Sequence, residues 1–172
     1  LTCDWSSDVC SSDLKARHDP RILTGWGIVA LRRGDCEVAA GRLDRAREVA
    51  RDRQLSELWY WARSLAAAGL ERYEEAEELL RDAIALYPGQ VVLQNNLAVL
   101  LEVRGDQGQA QQILDRAIGE DPSLPQLSKN LGDLLYRRGR FAEAWDAYQR
   151  AVRLDPRLGD DVYFRLGNIA YK

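Results

Sequence analysis

The sequence predicts an all-α fold, an array of about four and a half antiparallel helix pairs, and three observations carry that prediction. A small residue recurs at Gly27, Ala62, Ala98, Gly132 and Gly167, with gaps of 35, 36, 34 and 35. A second set recurs later in each unit, Ala39, Ala76, Ala110 and Ala144. It is followed each time by an alanine seven residues on, at Ala46, Ala83, Ala117 and Ala151, with a large apolar residue between them at Leu43, Leu80, Leu114 and Tyr148. Between these marks apolar residues follow helical spacing, as in Leu97, Leu100 and Leu101 or Ile113, Leu114, Ala117 and Ile118; no alternating strand pattern is present. A fixed period near 34 residues is the signature of stacked supersecondary units.

Each element follows from these marks. The spacing predicts helices over 20–33, 36–52, 55–68, 72–87, 91–104, 107–120, 125–138, 141–154 and 160–172. Small residues at the marks let paired helices approach at the short end of the ~8–10 Å range. Gly34, Gly69, Gly105 and Gly139 sit between the two halves of each pair, where glycine supports the backbone that ends a helix. Two extra residues, Leu70 and Glu71, lengthen the second of these turns. Asp121-Pro122 and Asp155-Pro156 close units, because proline stops a helix and restricts the residue before it; Tyr87-Pro88 does so less completely. The repeats are read as 20–54, 55–90, 91–124 and 125–159, with a half repeat over 160–172.

These marks resemble the tetratricopeptide repeat over roughly residues 20 to 172, most closely from 91 to 158. The first unit departs most, with Cys36 where an aromatic is common and no closing proline near Arg51. The resemblance implies a right-handed α-solenoid whose first helices line a concave groove that binds a protein or an extended peptide. Carried onto this chain, the groove positions are Thr24 and Ile28; Trp59, Tyr60 and Arg63; Asn95, Asn96 and Val99; Lys129, Asn130 and Asp133; and Phe164, Arg165 and Asn168. Aromatics of this kind dominate binding energies, and side-chain amides both donate and accept hydrogen bonds. Asn96 and Asn130 are equivalent, one unit apart. They form either a ladder for a peptide backbone or a local feature of the helices. Trp61 falls instead on an inward packing stripe with Trp26, Leu97 and Leu131. Some members of the family clamp a C-terminal carboxylate with two lysines, an arginine and two asparagines. The five matching sites here hold Trp59, Arg63, Asn96, Gln126 and Asn130, so the lysines are missing and such a clamp is disfavoured.

Residues 1–14 stand apart. From Asp4 to Leu14 the chain reads like one frame of a short-read sequencing adapter, so residues 1–19 are expected to be a disordered scar or leader, without the apolar run of a signal peptide. Setting 1–14 aside removes Cys3, Cys10 and three of the 27 acidic residues. That leaves Cys36 with no disulfide partner and a balanced 24 acidic against 24 basic residues. A neutral array gives no electrostatic case for nucleic acid or an anionic membrane, and no apolar run reaches the ~20 residues of a bilayer span. The chain has no methionine and reads as an internal piece of a longer protein. Its arginine bias, 21 of 24 basic residues, points to a GC-rich bacterial gene. The compartment stays open, with the cytoplasm ahead of the periplasm.

Chemistry is not legible. His18 is the one histidine, so the repeats hold no His pair for zinc and no Ser-His or Cys-His couple. Neither a metal site nor a cofactor site is expected, and phosphate-binding glycine motifs are absent. Gly25 and Gly27 read as packing residues and Cys36 as a buried structural thiol. Glu74-Glu75 and Glu77-Glu78 read as a solvated helix face. Arg32-Arg33 and Arg137-Arg138 sit at helix C-termini, where the helix dipole favours cations. The expected function is therefore a non-catalytic binding scaffold. The alternatives are a substrate-recruiting part of a larger enzyme, of glycosyltransferase, sulfotransferase or kinase type, or an assembly factor of a secretion or pilus machine.

Overall fold

The structure, a computed structural model, describes residues 18–51 and 54–171. Residues 1–17, on which the leader expectation falls, lie outside the described residues. Among those described there are nine helices and no strand: α1 (Pro20–Arg32), α2 (Cys36–Ala50), α3 (Glu57–Gly69), α4 (Tyr73–Leu86), α5 (Val91–Val103), α6 (Gln107–Glu120), α7 (Pro125–Arg137), α8 (Phe141–Leu154) and α9 (Asp160–Tyr171). The all-α class of antiparallel helix pairs is as the sequence predicts, and the helix ends fall within about two residues of the expected ones. None of these helices is long and apolar enough to cross a membrane.

The helix starts have local causes. Asp19 caps α1 by accepting from the Arg21 amide at 2.8 Å, and Pro20 occupies the first turn, where a missing N–H costs nothing. The Arg21 hydrogen bonds pull the Asp19 carboxyl down to about 2. Ser56 caps α3 through the Trp59 amide, and Asp106 caps α6 through the Gln109 amide. The ends of the second helices are equally explicit. Asp121 and Asp155 are extended, as residues before proline must be, and each carboxylate accepts the amide two residues on, from Ser123 and Arg157, at 3.0 Å.

The turns inside the pairs share one geometry, with one departure. Asp35, Asp106 and Arg140 donate their amides back to Ala30, Leu101 and Leu135, and the preceding Gly34, Gly105 and Gly139 adopt positive φ. This is the left-handed closure that glycine allows without steric cost. In the α3–α4 turn the equivalent bond runs from Arg72 to Ala67, and Glu71 takes the left-handed position at φ 60°. Gly69, expected as the turn glycine, is instead the last helical residue. Its lack of a side chain serves packing instead, since a β-carbon there would overlap the Cys36 sulfur. The two extra residues thus move the turn rather than lengthen it.

The chain divides into two compact units, residues 1–79 and 80–172. In the first, Leu23, Ala39, Leu43, Ala46, Trp59 and Ala62 form the centre of the core, with Leu79 at its edge. In the second, Leu135, Ala144, Ala147, Tyr148 and Val162 are fully buried together, with Leu131, Tyr136, Leu166 and Ile169 half-buried around them. The small-residue marks are the closest contacts: a β-carbon on Gly27 would stand 2.7 Å from Leu43 Cγ, and one on Gly132 2.7 Å from the Tyr148 ring. Gly25, also expected to pack, has nothing near it.

Candidate peptide-binding face

The predicted positions fall on one face of each first helix, at three and two residues before the small mark and one after it. In residues 1–79 that face is mostly committed to the core. Trp59, expected in the groove, is 1% exposed, and its indole N–H donates to the Leu43 carbonyl at 2.8 Å. Thr24 is buried and donates its hydroxyl to the Pro20 carbonyl. Arg63 is buried, with Nε 2.8 Å from Asp44 and Nη2 2.6 Å from Glu75, while Nη1 lies buried without a hydrogen-bond partner. This guanidinium ties α2, α3 and α4 together, so Arg63 is a structural cation rather than a groove residue. Half-buried Tyr60, edge-on to Trp59 at 5.0 Å, and half-buried Ile28 reach the surface from this face.

The tryptophan expectation inverts. Trp61 is half-buried at the rim of the core and Trp26 is 38% exposed, under the Arg42 guanidinium at 5.4 Å. Neighbouring helices decide this. The same stripe is buried at Leu97, where packing covers it. The acidic run on α4 also differs from a solvated face: Glu75 binds Arg63 and Glu77 is buried.

In residues 80–172 the face carries a bonded network. Asn130 Nδ2 donates to Asn95 Oδ1 at 2.8 Å, joining α7 to α5. Asn96 has its side-chain nitrogen buried without a hydrogen-bond partner. Asp133 is buried and fully engaged, accepting from Tyr148 Oη at 2.7 Å, from Arg165 Nη1 at 2.6 Å and from Lys129 Nζ at 3.1 Å. It is therefore an internal anchor and not a ligand group. Lys129 also meets Asp161 at 2.9 Å. Burial works against its charge, but the hydrogen bonds to Asp161 and Asp133 outweigh that and hold its pKa above the ordinary lysine value. The bond from Lys129 holds the Asp161 carboxyl below its usual value. Burial, reinforced by Asp133, pushes the Tyr148 phenol up. Arg165 also stacks over Tyr136 at 5.7 Å. Val99 and Phe164 stand exposed on this face, Phe164 at 69%, and Asn168 is half-buried.

Three participants were not expected from sequence. Tyr148 appeared only as a large apolar mark, although its hydroxyl makes the Asp133 anchor. Gln94 is buried and donates to Glu120 at 2.6 Å. Glu102 stands 3.0 Å from Arg137 Nη2, but the pair is not aligned for a hydrogen bond and the buried Oε1 has no such partner. A tyrosine sixteen residues after a glycine mark and fifteen after an aspartate was the available signal for the first. Arg137 and Arg138, expected as dipole-satisfying cations, sit at the end of α7 and pair with Glu102 and Gln111. Among the described residues no cluster of three or more potential ligands could hold a metal ion.

The comparisons agree with the helical-repeat fold. The tetratricopeptide repeat family profile matches residues 24–91 and 95–159. No curated protein matches the chain. Similar solved structures include one described as the functional characterization of Pseudomonas aeruginosa pilF, with a TM-score of 0.78 and 23% identity over 91% of this chain and 68% of that one. TTC0263, a thermophilic TPR protein of Thermus thermophilus, follows with a TM-score of 0.76 and 21% identity over 90% and 82%. YrrB, described as a TPR protein with an unusual peptide-binding site, has a TM-score of 0.65 and 18% identity over 94% and 81%. Likeness at these identities concerns the fold alone. With the profile covering most of its length, the chain belongs to the tetratricopeptide repeat family.

Proposed function

We propose that this chain is a non-catalytic scaffold that binds a protein segment or extended peptide on the first-helix face of residues 80–172. The observation that supports the reading is the Asn130–Asn95 amide bridge, together with the exposure of Val99 and Phe164. Fixed amides suit a peptide main chain, which offers a donor and an acceptor at every residue. An exposed aromatic, Phe164, supplies apolar area. Asn96, Lys129, Arg165 and Asn168 complete the face and orient a bound segment, while Tyr60 is the corresponding aromatic of residues 1–79.

The test is selection of binders from a displayed random-peptide library against the whole chain, followed by affinity measurement on variants. Phe164→Ala should cost ~2 kcal/mol, the scale of an interface hot spot. Asn96→Ala/Asn130→Ala should cost ~1 kcal/mol per amide. Asp115→Ala/Arg116→Ala, on the exposed side of α6, should be neutral. Loss of binding in the α6 variant alone would overturn the assignment of the face.

A further inference from the structure

We infer that Arg137 and Glu102 form a subsite for an acidic side chain of the bound segment, and that the acid enters together with a proton taken from solvent by Glu102. The inference rests on the proposed binding face of residues 80–172 and names the chemistry of its partner. Both residues fall on that face by spacing. Lys129, Asp133 and Arg137 follow at intervals of four on α7, and Asn95, Val99 and Glu102 at four and then three on α5. Each sits in the last turn of its helix, Arg137 as the final residue of α7 and Glu102 as the last but one of α5. The negative end of the helix dipole favours the cation there and disfavours the carboxylate.

The two groups are poorly matched to each other. The Glu102 side chain is 10% exposed, and its buried Oε1 accepts no hydrogen bond although Arg137 Nη2 stands 3.0 Å away. A buried carboxylate oxygen without a donor is costly as an anion and much less so when protonated. Burial accordingly raises the Glu102 pKa; Arg137 opposes the rise, Asp133 adds to it and Arg165 opposes it. The Arg137 side chain is 54% exposed, and its Nε makes a long hydrogen bond, 3.5 Å, to the Asp133 carbonyl. The neighbouring cations are committed, Lys129 to Asp133 and Asp161, and Arg165 to Asp133. Within this network Lys129, Arg137 and Arg165 balance Glu102, Asp133 and Asp161. A proton on Glu102 leaves one positive charge over, on the exposed guanidinium. A guanidinium takes a carboxylate in a charge-assisted, two-point contact that an amide cannot match. The incoming anion in turn favours the protonated form of Glu102, so acid and proton bind cooperatively.

The test is selection from a displayed random-peptide library against the whole chain and, separately, against its Arg137→Gln variant. Peptides enriched on the parent should carry an aspartate or glutamate at a fixed distance from their apolar anchor, and those enriched on Arg137→Gln should not. In a parent-selected peptide, replacing that acid by its amide should weaken binding at least about tenfold to the parent and less than about twofold to Arg137→Gln. A merely structural role of Arg137 would weaken both peptides alike. Affinity for the acidic peptide should rise as pH falls from about 8 to about 5.5, and Glu102→Gln should bind it at least as tightly with that pH dependence gone. Enriched peptides without a fixed acid, an acid effect unchanged in Arg137→Gln, or a pH dependence that persists in Glu102→Gln overturns the inference. Peptides that need Phe164 but no acid overturn it while leaving the proposed binding face standing. Absence of enriched peptides, or peptides indifferent to both Phe164 and Arg137, overturns the two together.

Discussion

Gly132 lies directly beneath the Tyr148 ring, with no room between them for a methyl group. A β-carbon there would stand 2.7 Å from two ring carbons, and the ring is held by the bond from its hydroxyl to Asp133, the next residue of α7. The contact joins the first and second helices of one pair, and Gly27 and Leu43 repeat it with an aliphatic partner.

Gly132→Ala is therefore expected to destabilise the chain by ~1–3 kcal/mol, since the ring cannot move without giving up its hydrogen bond. Gly25→Ala, two residues before the Gly27 mark on α1 and facing open space, is expected to stabilise by ~0.5–1 kcal/mol. Denaturant unfolding of both variants checks the pair of signs. The opposite pattern, with Gly25 sensitive and Gly132 tolerant, would contradict the packing described.

Glu71→Gly should stabilise by ~1 kcal/mol. The left-handed backbone at φ 60° disfavours a side chain with a β-carbon, and three equivalent turns place glycine there. Gly69→Ala should do the reverse despite lying two residues away, because its β-carbon would meet the Cys36 sulfur. Thermal melts of the two variants measure both effects.

Stability should depend on Glu102 with a definite sign. Burial raises the pKa of this carboxyl, Arg137 opposes the rise and Asp133 adds to it. A folded-state pKa above the unfolded one means that the folded form binds the proton more tightly. The contribution of Glu102 is thus most favourable below the unfolded value near 4.5 and is lost as pH rises through the elevated folded value. Glu102→Gln should be more stable than the parent at pH 7, with the difference shrinking as pH falls towards 4. Unfolding free energies across that range test it; a difference that grows on acidification would show that the pairing with Arg137 dominates.

Amides of residues 162–171 should exchange at least about tenfold faster than those of 97–118, because local opening costs least where least is buried. Val162 is the single fully buried side chain of α9, whereas Leu97, Ala98, Leu100, Leu101, Ala110, Leu114 and Ala117 are all buried in the compared segment. Hydrogen exchange read by mass spectrometry decides this, and uniform protection would contradict it.

The candidate site was legible only as a face. Asn95, Asn96, Asn130 and Phe164 were named from their place in the repeat, yet nothing in the sequence shows that Asn130 bonds to Asn95. Arg63 and Asp133 look like ligand-binding charges in sequence and are internal anchors in the structure, because Asp44 and Glu75, or Tyr148, Lys129 and Arg165, reach them from elsewhere in the chain.

By itself the sequence determined the helices, their ends and their small contact sites. Caps, prolines, left-handed glycines and helical spacing act over a few residues, so a single chain displays them. The tertiary structure decided what each face does. In a helix one residue turns the side chain through about 100°, so Trp59 and Trp61 point into quite different surroundings although both are large and apolar. Which of them is core depends on where α2 lies, and the Leu43 carbonyl that receives the Trp59 indole is sixteen residues away. The same holds among the glycines: Gly25 and Gly27 lie two residues apart on α1, and only the presence of Leu43 against Gly27 makes it a closed contact.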